Sequence, residues 1–348
     1  MNDYYDFAED KKLFPDAWLY IIYSGRGPGK TYSTLWDCLN NHIMFGYIKR
    51  TMDDIGLIMQ NEFSPFKPIN RDKGTQIESS SIGGGLSKFV DGASEEKETV
   101  GYALAMSAIH KYKGFDLSDV DELIFDEFIP QKSERVNRKE GELLLDLYLT
   151  ISRDRIRRGK PELKLVLLAN STNLACPVLL TLGLVDRIAQ MQQDDVDYLY
   201  DGDKRIFIRH IKNTPSVTDD MGIMQTMAGS LWAAATIGGN FAYNDFSAVR
   251  QMSIKGMYPV CMIRTGQDRY VFWRHKNSGV YYCCSTLTNT AIPCYNLDSE
   301  IEARSFYQAY AIDFAQAVID GKMYFSQYSG YDIIANYSKM SDPNVIYL

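Results

Sequence analysis

An apolar run from Trp18 to Tyr23 breaks into Ser24-Gly25-Arg26-Gly27-Pro28-Gly29-Lys30-Thr31, and a helix-like pattern follows at once. A strand that ends in a glycine-rich turn and feeds straight into a helix is the context a phosphate-binding loop requires. Backbone N–H groups of such a loop converge on phosphate oxygens, and the helix N-terminus adds its partial positive charge. Ser24, Gly25, Arg26, Gly27 and Gly29 are the expected cradle. Lys30 is placed to reach the β- and γ-phosphates of ATP, and the Thr31 hydroxyl to ligate Mg²⁺. The segment departs from the common pattern G-x-x-x-x-G-K-[ST], because Ser24 stands where the first glycine belongs. Pro28 also removes one N–H donor while fixing φ. A glycine-rich turn without ligand is the plain alternative for this segment alone.

Further along, Leu123-Ile124-Phe125 reads as a buried strand and ends in Asp126-Glu127. Asp126 is suited to hold the Mg²⁺ shell, and Glu127 to orient and deprotonate the attacking water. Acidic residues often end strands, so this pair is ordinary by itself. The two segments together, each in the right strand and helix context, point to a nucleoside triphosphatase.

The chain has 348 residues, of which 45% are hydrophobic, long for one domain and comfortable for two. A net charge of −7 argues against a protein coated in positive charge, so any DNA contact must be made by local patches. The six cysteines show no metal-ligand spacing and read as buried thiols in a reducing compartment. The acidic start lacks the features of a signal peptide, and no apolar run is long enough to span a bilayer. A soluble cytoplasmic protein without a membrane partner is expected.

Strand-like and helix-like segments alternate through the first two hundred or so residues, the signature of an α/β fold with a mostly parallel sheet. Tyr32, Leu35, Trp36 and Leu39 mark the expected sheet-facing side of the helix after the loop. Tyr47 to Arg50 reads as a short strand presenting two cations, and residues 61–97, with Gly83-Gly84-Gly85, as a hairpin or mobile excursion. Gly101 to Ala108 is a strand, followed by a polar turn with Lys111 and Lys113. Gly141 to Ser152 is a helix that runs into the basic stretch Arg153 to Lys160, and Leu163 to Ala169 is an apolar strand stopping at Asn170. In an open parallel sheet, ligands lie outside the carboxyl ends of the strands. The loop, Asp126, Glu127 and Asn170 are therefore expected on one edge. The predicted organisation is a P-loop ATPase domain over 1–212, a linker with short helices over 213–255, and an α+β domain over 256–348. In the last, Asn277-Ser278-Gly279 joins aromatic strands and Ile301 to Val318 is helical.

Arg26-Gly27-Pro28-Gly29-Lys30-Thr31, Tyr47-Ile48-Lys49-Arg50, Leu123 to Phe128 and Leu168-Ala169-Asn170 resemble, in order and spacing, the DNA packaging ATPases of small podovirus-type tailed phages, relatives of terminase large subunits. Arg26 inside the loop is the more specific mark. The resemblance implies a P-loop NTPase of the ASCE/RecA-like class and a second domain similar to a degenerate RNase H-like nuclease. It implies a homo-oligomeric ring, usually pentameric, docked on the portal of an empty procapsid in the host cytoplasm and threading double-stranded DNA. Whether a packaging RNA takes part is left open. It also implies a trans-acting arginine, matched by Arg153 with Arg155 as competitor, a basic residue at Lys113 acting across the same interface, and a coupling residue at Asn170. A terminase with an active nuclease and a non-catalytic nucleotide-binding scaffold are the rival readings. A small-molecule kinase is a weaker one, since no lid or acceptor pocket is legible.

Several basic signals have bland alternatives. Arg157, Arg158 and Lys160 suit phosphate contacts with DNA, a subunit interface or solvated surface. Lys204, Arg205, Arg209, His210 and Lys212 form a basic stretch that is a candidate channel lining, and Arg264, Arg269 and Arg274 among aromatics are more often strand core than a base-stacking platform.

Overall fold

The computed structural model describes residues 4–83, 86–131, 134–212, 221–266, 268–335 and 345–347. The chain divides into two compact units that interleave in sequence. The first comprises Met1–Gln131, Glu140–Asn173 and Met191–Tyr243, and the second Lys132–Lys139, Leu174–Gln190 and Asn244–Leu348. The chain leaves the first unit twice and returns to it. Residues 221–243, expected in a linker, belong to the first unit; residues 213–220 and the Gly84-Gly85 tip lie outside the described residues.

Strands β1 (Leu19–Ser24), β2 (Phe45–Lys49), β3 (Ile77–Gly83), β4 (Leu86–Asp91), β5 (Thr99–Ala105) and β6 (Glu122–Asp126) precede β7 (Arg135–Asn137), which belongs to the second unit. With β8 (Lys164–Asn170), β9 (Tyr198–Asp201) and β10 (Ile206–Ile211) they build a nine-stranded sheet in the order β3-β4-β5-β2-β6-β8-β1-β10-β9. The six strands from β5 to β10 in that order are parallel; β3 and β4 add antiparallel at one edge and β9 at the other. The expected hairpin is thus real, and it extends the main sheet. Strands β1, β6 and β8 bury nearly every side chain, as parallel strands covered on both faces must. Ser24 pairs with Asn170, and Asp126 with Leu168, which brings the three strand ends to one edge.

Helix α1 (Phe7–Leu13) is capped by Asp6 and pinned by Lys11, whose ammonium meets Asp37 at 2.7 Å and also bonds Glu122. Helix α2 (Lys30–Asn40) buries Ser33, Thr34, Leu35, Asp37 and Cys38. That is not the face expected: of Tyr32, Leu35, Trp36 and Leu39 only Leu35 is fully buried. Asp37 goes inward because Lys11 compensates it, while Trp36 lies under the Lys73 ammonium at 4.7 Å. After β5, the expected polar turn is a 3-10 helix, Met106–Gly114.

The second unit has a five-stranded mixed sheet in the order β14 (Cys294–Asn296), β11 (Met257–Thr265), β12 (Asp268–His275), β13 (Tyr281–Cys284) and β15 (Met323–Phe325). Alternation sends Cys261, Ile263, Tyr270, Phe272 and Cys283 into one cluster with Phe306 and Phe314, and Val271, Trp273, Tyr282 and Cys284 into another. Strand β16 (Val345–Tyr347) pairs with β7. All six cysteines are free; five are buried, but Cys294 is exposed, contrary to expectation. Among the described residues no helix is long and apolar enough to cross a membrane.

Candidate active site

The turn between β1 and α2 is shaped by two features of backbone geometry. Gly29 caps α2 in the left-handed region at φ +92°, a conformation a side chain would strain. Gly25 lies against another stretch of the first unit: a Cβ there would sit 2.4 Å from the Thr236 carbonyl oxygen, and one on Gly239 would sit 2.6 Å from the Gly25 nitrogen. The Arg26 N–H donates to Thr236 O at 2.7 Å, and Gly239 O accepts from the His210 ring at 2.8 Å. Tyr23 stacks on that imidazole with centroids 4.7 Å apart. On the opposite flank, Tyr5 N–H donates to Pro28 O at 3.0 Å.

A cavity of about 380 Å³ opens beside this loop, lined by Arg26, Gly27, Pro28, Gly29, Lys30, Thr31, Tyr32, Asp126, Glu127, Gln131, Ala169 and Asn170. Eight of the residues singled out from sequence for nucleotide, Mg²⁺ or catalysis on the loop and strand ends, Arg26, Gly27, Gly29, Lys30, Thr31, Asp126, Glu127 and Asn170, are thereby gathered in one place. Ser24 and Gly25 are not in its wall. Ser24 is wholly buried, and its hydroxyl accepts from the Lys30 ammonium, which also donates to Gly25 O at 3.0 Å and Asn170 Oδ1 at 3.2 Å. Burial lowers the Lys30 pKa to about 8, with Asp126 and Glu127 pulling the other way.

Thr31 Oγ1 donates to Asp126 Oδ1 at 3.1 Å. Two residues of β2, which runs beside β6, complete the carboxylate's surroundings. Tyr47 donates its hydroxyl to Asp126 Oδ2 at 2.5 Å, and the Lys49 ammonium lies 3.2 Å from that oxygen and 2.9 Å from Glu127 Oε2. Burial opposes the Lys49 charge, but the two carboxylates outweigh it and raise its pKa. Glu127 itself occupies the left-handed region at φ +57°, an uncommon and costly conformation for this residue type. Arg50 holds it there, donating to Glu127 O at 3.2 Å and Phe128 O at 2.9 Å while pairing with Glu140 at 2.7 Å. The roles of Tyr47 and of Arg50 were not legible beforehand; the signal was the alternation Tyr47-x-Lys49 on the strand next to Asp126.

Thr31 and Asp126 supply hard oxygen donors side by side, the set Mg²⁺ takes alongside substrate phosphates, so the residues present fit that ion.

Lys113 belongs to the 3-10 helix by its backbone, and Arg153 lies in the turn after α3 (Glu140–Ser152), outside the wall of this cavity. Arg153 is exposed, with no hydrogen bond or ion pair among the described residues. It borders a second cleft of about 250 Å³, lined also by Tyr112 and Phe115 to Ser118. Arg155, its competitor, is 2% exposed, and its guanidinium donates to Pro161 O, Ser118 O, Val120 O and Asp121 Oδ1 inside the first unit. Lys160 likewise turns inward, to Ser118 O at 2.7 Å. Three of the candidate channel-lining cations are compensated: Arg205 by Glu162, Arg209 by Asp10, and Lys212 by Asp195 and Asp197.

No protein-family model and no curated protein matches the chain in sequence. Solved structures do match. The phi28 gp11 DNA packaging motor is 17% identical, with a TM-score of 0.64 over 97% of this chain and 98% of that one. The bacteriophage phi29 viral genome packaging motor assembly is 18% identical, with a TM-score of 0.63 over 97% of each chain. The fold is that of a phage DNA-packaging motor. The α/β class and the resemblance drawn from the strand-end motifs are met at this level, and the packaging-motor fold spans both units of the chain.

Proposed function

We propose that the chain is an ATP-hydrolysing motor that drives double-stranded viral DNA into a procapsid, working as a homo-oligomeric ring at the portal in the host cytoplasm. The observation that carries this reading is the single cavity uniting Arg26, Lys30, Thr31, Asp126, Glu127 and Asn170 at the carboxyl edge of the parallel sheet. The packaging-motor fold supplies the context.

Lys30 and the amides at the start of α2 bind the triphosphate, and Arg26, exposed on the cavity wall, adds a second cation. Thr31 and Asp126 would hold Mg²⁺, which neutralises charge on the phosphates. Glu127 accepts the proton of the attacking water once its carboxylate leaves Lys49. Asn170, bonded to Lys30, senses whether that lysine has moved to a phosphate. Arg153, exposed and pointing to no acceptor within its own unit among the described residues, serves the next subunit's site, with Lys113 across the same face. The second unit is assigned contact with DNA, procapsid or ring neighbours. Two-metal cleavage needs converging carboxylates, and strands β11 and β12 carry one acid between them, Asp268 at the hairpin end. Nicking of plasmid with Mn²⁺ that disappears on mutating second-unit carboxylates would overturn that assignment.

Replacing Glu127 by Gln tests the catalytic reading. ATP binding should persist while turnover falls by roughly 10²- to 10⁴-fold, the usual contribution of a general base. Unchanged turnover removes Glu127 from the mechanism.

A further inference from the structure

We propose that Arg155 is a positioning residue for the neighbouring subunit's ATP site: it fastens the turn that carries Arg153 to the segment entering the carboxylate strand β6. The proposal rests on the reading that Arg153 acts in trans.

The turn between α3 and β8 carries no helix or strand longer than a single 3-10 turn. Asp154 sits at φ +60° and Gly159 at φ +72°, with a short 3-10 piece, Ile156–Arg158, between them. Connections of this kind are ordinarily mobile. Here a guanidinium is sunk beneath it. Arg155 Nε donates to Pro161 O at 3.1 Å, Nη1 to Ser118 O at 3.2 Å and to Val120 O, and Nη2 to Asp121 Oδ1 at 2.5 Å. One side chain therefore joins the far end of the turn, the wall of the second cleft and the residue directly before β6. Asp121 is itself fixed, its N–H donating to Met44 O at 2.7 Å and its carbonyl accepting from Lys164 N–H at 3.1 Å. Lys160 adds a second tie to Ser118 O.

Burying a charge this fully is costly unless all its donors find partners, and an apolar residue would fill the same space more cheaply. What an arginine adds is a rigid fork that holds three segments at fixed separations. Arg153 lies two residues away on the same short turn, exposed and without a partner among the described residues. Its backbone position is thereby set by β6, the strand that holds its own subunit's Asp126 and Glu127. A reaching arginine is effective only if its base is held still, since a misplacement of about 1 Å costs on the order of 10²-fold in rate.

Arg155→Lys keeps the charge and loses the fork. It should lower kcat for ATP by roughly 10- to 100-fold with little change in KM. Mixing subunits under ring-forming conditions assigns the defect. Lys30→Ala subunits have a dead site but a sound Arg153, and Arg153→Ala subunits the reverse; mixed, they should regain turnover. Arg155→Lys subunits should regain turnover when mixed with Lys30→Ala and not when mixed with Arg153→Ala, and Asp121→Asn, which removes only the acceptor's charge, should group the same way. Rescue with Lys30→Ala also shows that the variant folds and keeps its own site. Wild-type turnover of Arg155→Lys, rescue by Arg153→Ala, or no rescue by Lys30→Ala each overturns the proposal. If the Lys30→Ala and Arg153→Ala pair fails to recover, the trans reading itself falls, separately registered.

Discussion

Lys30 makes a quantitative statement about nucleotide binding. In the free protein its ammonium is buried against Ser24, Gly25 O and Asn170, and its pKa is lowered to about 8 from the ordinary 10.5. A triphosphate brought beside it favours the charged form and returns the pKa to the ordinary range or above. The nucleotide thus binds the protonated lysine, while above pH 8 the free protein increasingly holds a neutral one. Binding must then take up a proton, and affinity must fall as pH rises through the window from about 8 to 10.5, by about 1.4 kcal/mol, or tenfold, per pH unit. From the same pKa values, proton uptake per nucleotide should be about 0.1 at pH 7 and about 0.9 at pH 9. Calorimetric titration of Mg·ATP in two buffers of different ionisation enthalpy reads this number directly. The Lys30→Arg variant is the control, because a guanidinium does not titrate in this range; its affinity drops but its uptake at pH 9 should be near zero. Uptake near zero for the unaltered chain at pH 9 would refute the reasoning, since it would mean that Lys30 is already fully protonated there.

Two further outcomes follow from the packing of the first unit. Lys11→Met leaves the carboxylates of Glu122 and Asp37 buried without their cation; it should cost about 3–5 kcal/mol at neutral pH, read as a lowered Tm. Burial already raises the Glu122 pKa, so the loss should shrink as pH falls and that carboxyl protonates; a Tm indifferent to the substitution would show that the network carries no stability. Gly239→Ala combines a left-handed φ of +65° with a Cβ 2.6 Å from Gly25 N, so it should distort the phosphate loop and weaken ATP binding by about tenfold or more with the fold retained by circular dichroism. Gly229→Ala bears the same kind of strain, at φ +78°, with no atom within 4 Å of the added carbon. Equal effects of the two on ATP affinity would sink the claim that Gly239 acts through the loop.

The parts of this fold that were legible are those whose chemistry is written locally. A strand buried on both faces is a run of apolar residues, so β1, β6 and β8 stood out, and with them the edge where Ser24, Asp126 and Asn170 end. Strand β10 was hidden because Arg205, Arg209, His210 and Lys212 gave it the look of a basic patch. Their acids, Glu162, Asp10, Asp195 and Asp197, lie elsewhere in sequence, so the compensation has no local trace. Helix α2 was misjudged for the same reason: hydrophobicity picked Tyr32, Trp36 and Leu39, whereas Asp37 is the buried residue because a lysine on α1 reaches it. Arg155 is the sharpest case. In sequence it is one of several cations in a turn, and only the carbonyls of Ser118, Val120 and Pro161 separate it from Arg153.

The loop's two departures from the common pattern acquire a physical reason once its neighbours are placed. Ser24 substitutes a hydroxyl for a glycine at the end of β1, and that hydroxyl accepts from the Lys30 ammonium. Pro28 forfeits an N–H, but its carbonyl is the acceptor that ties Tyr5 and the N-terminal segment to the loop. The Arg26 N–H is likewise spoken for, by Thr236 O. On the proposed reading the amides of Gly29 to Thr31 are the first to be available to phosphate, since the first turn of α2 has no preceding helical carbonyl to bond. Arg26 contributes through its exposed guanidinium and not through its amide, so its effect on ATP binding should depend on side-chain charge: Arg26→Lys should bind more tightly than Arg26→Ala, and equal affinities in a direct titration would assign the residue to the loop's backbone alone.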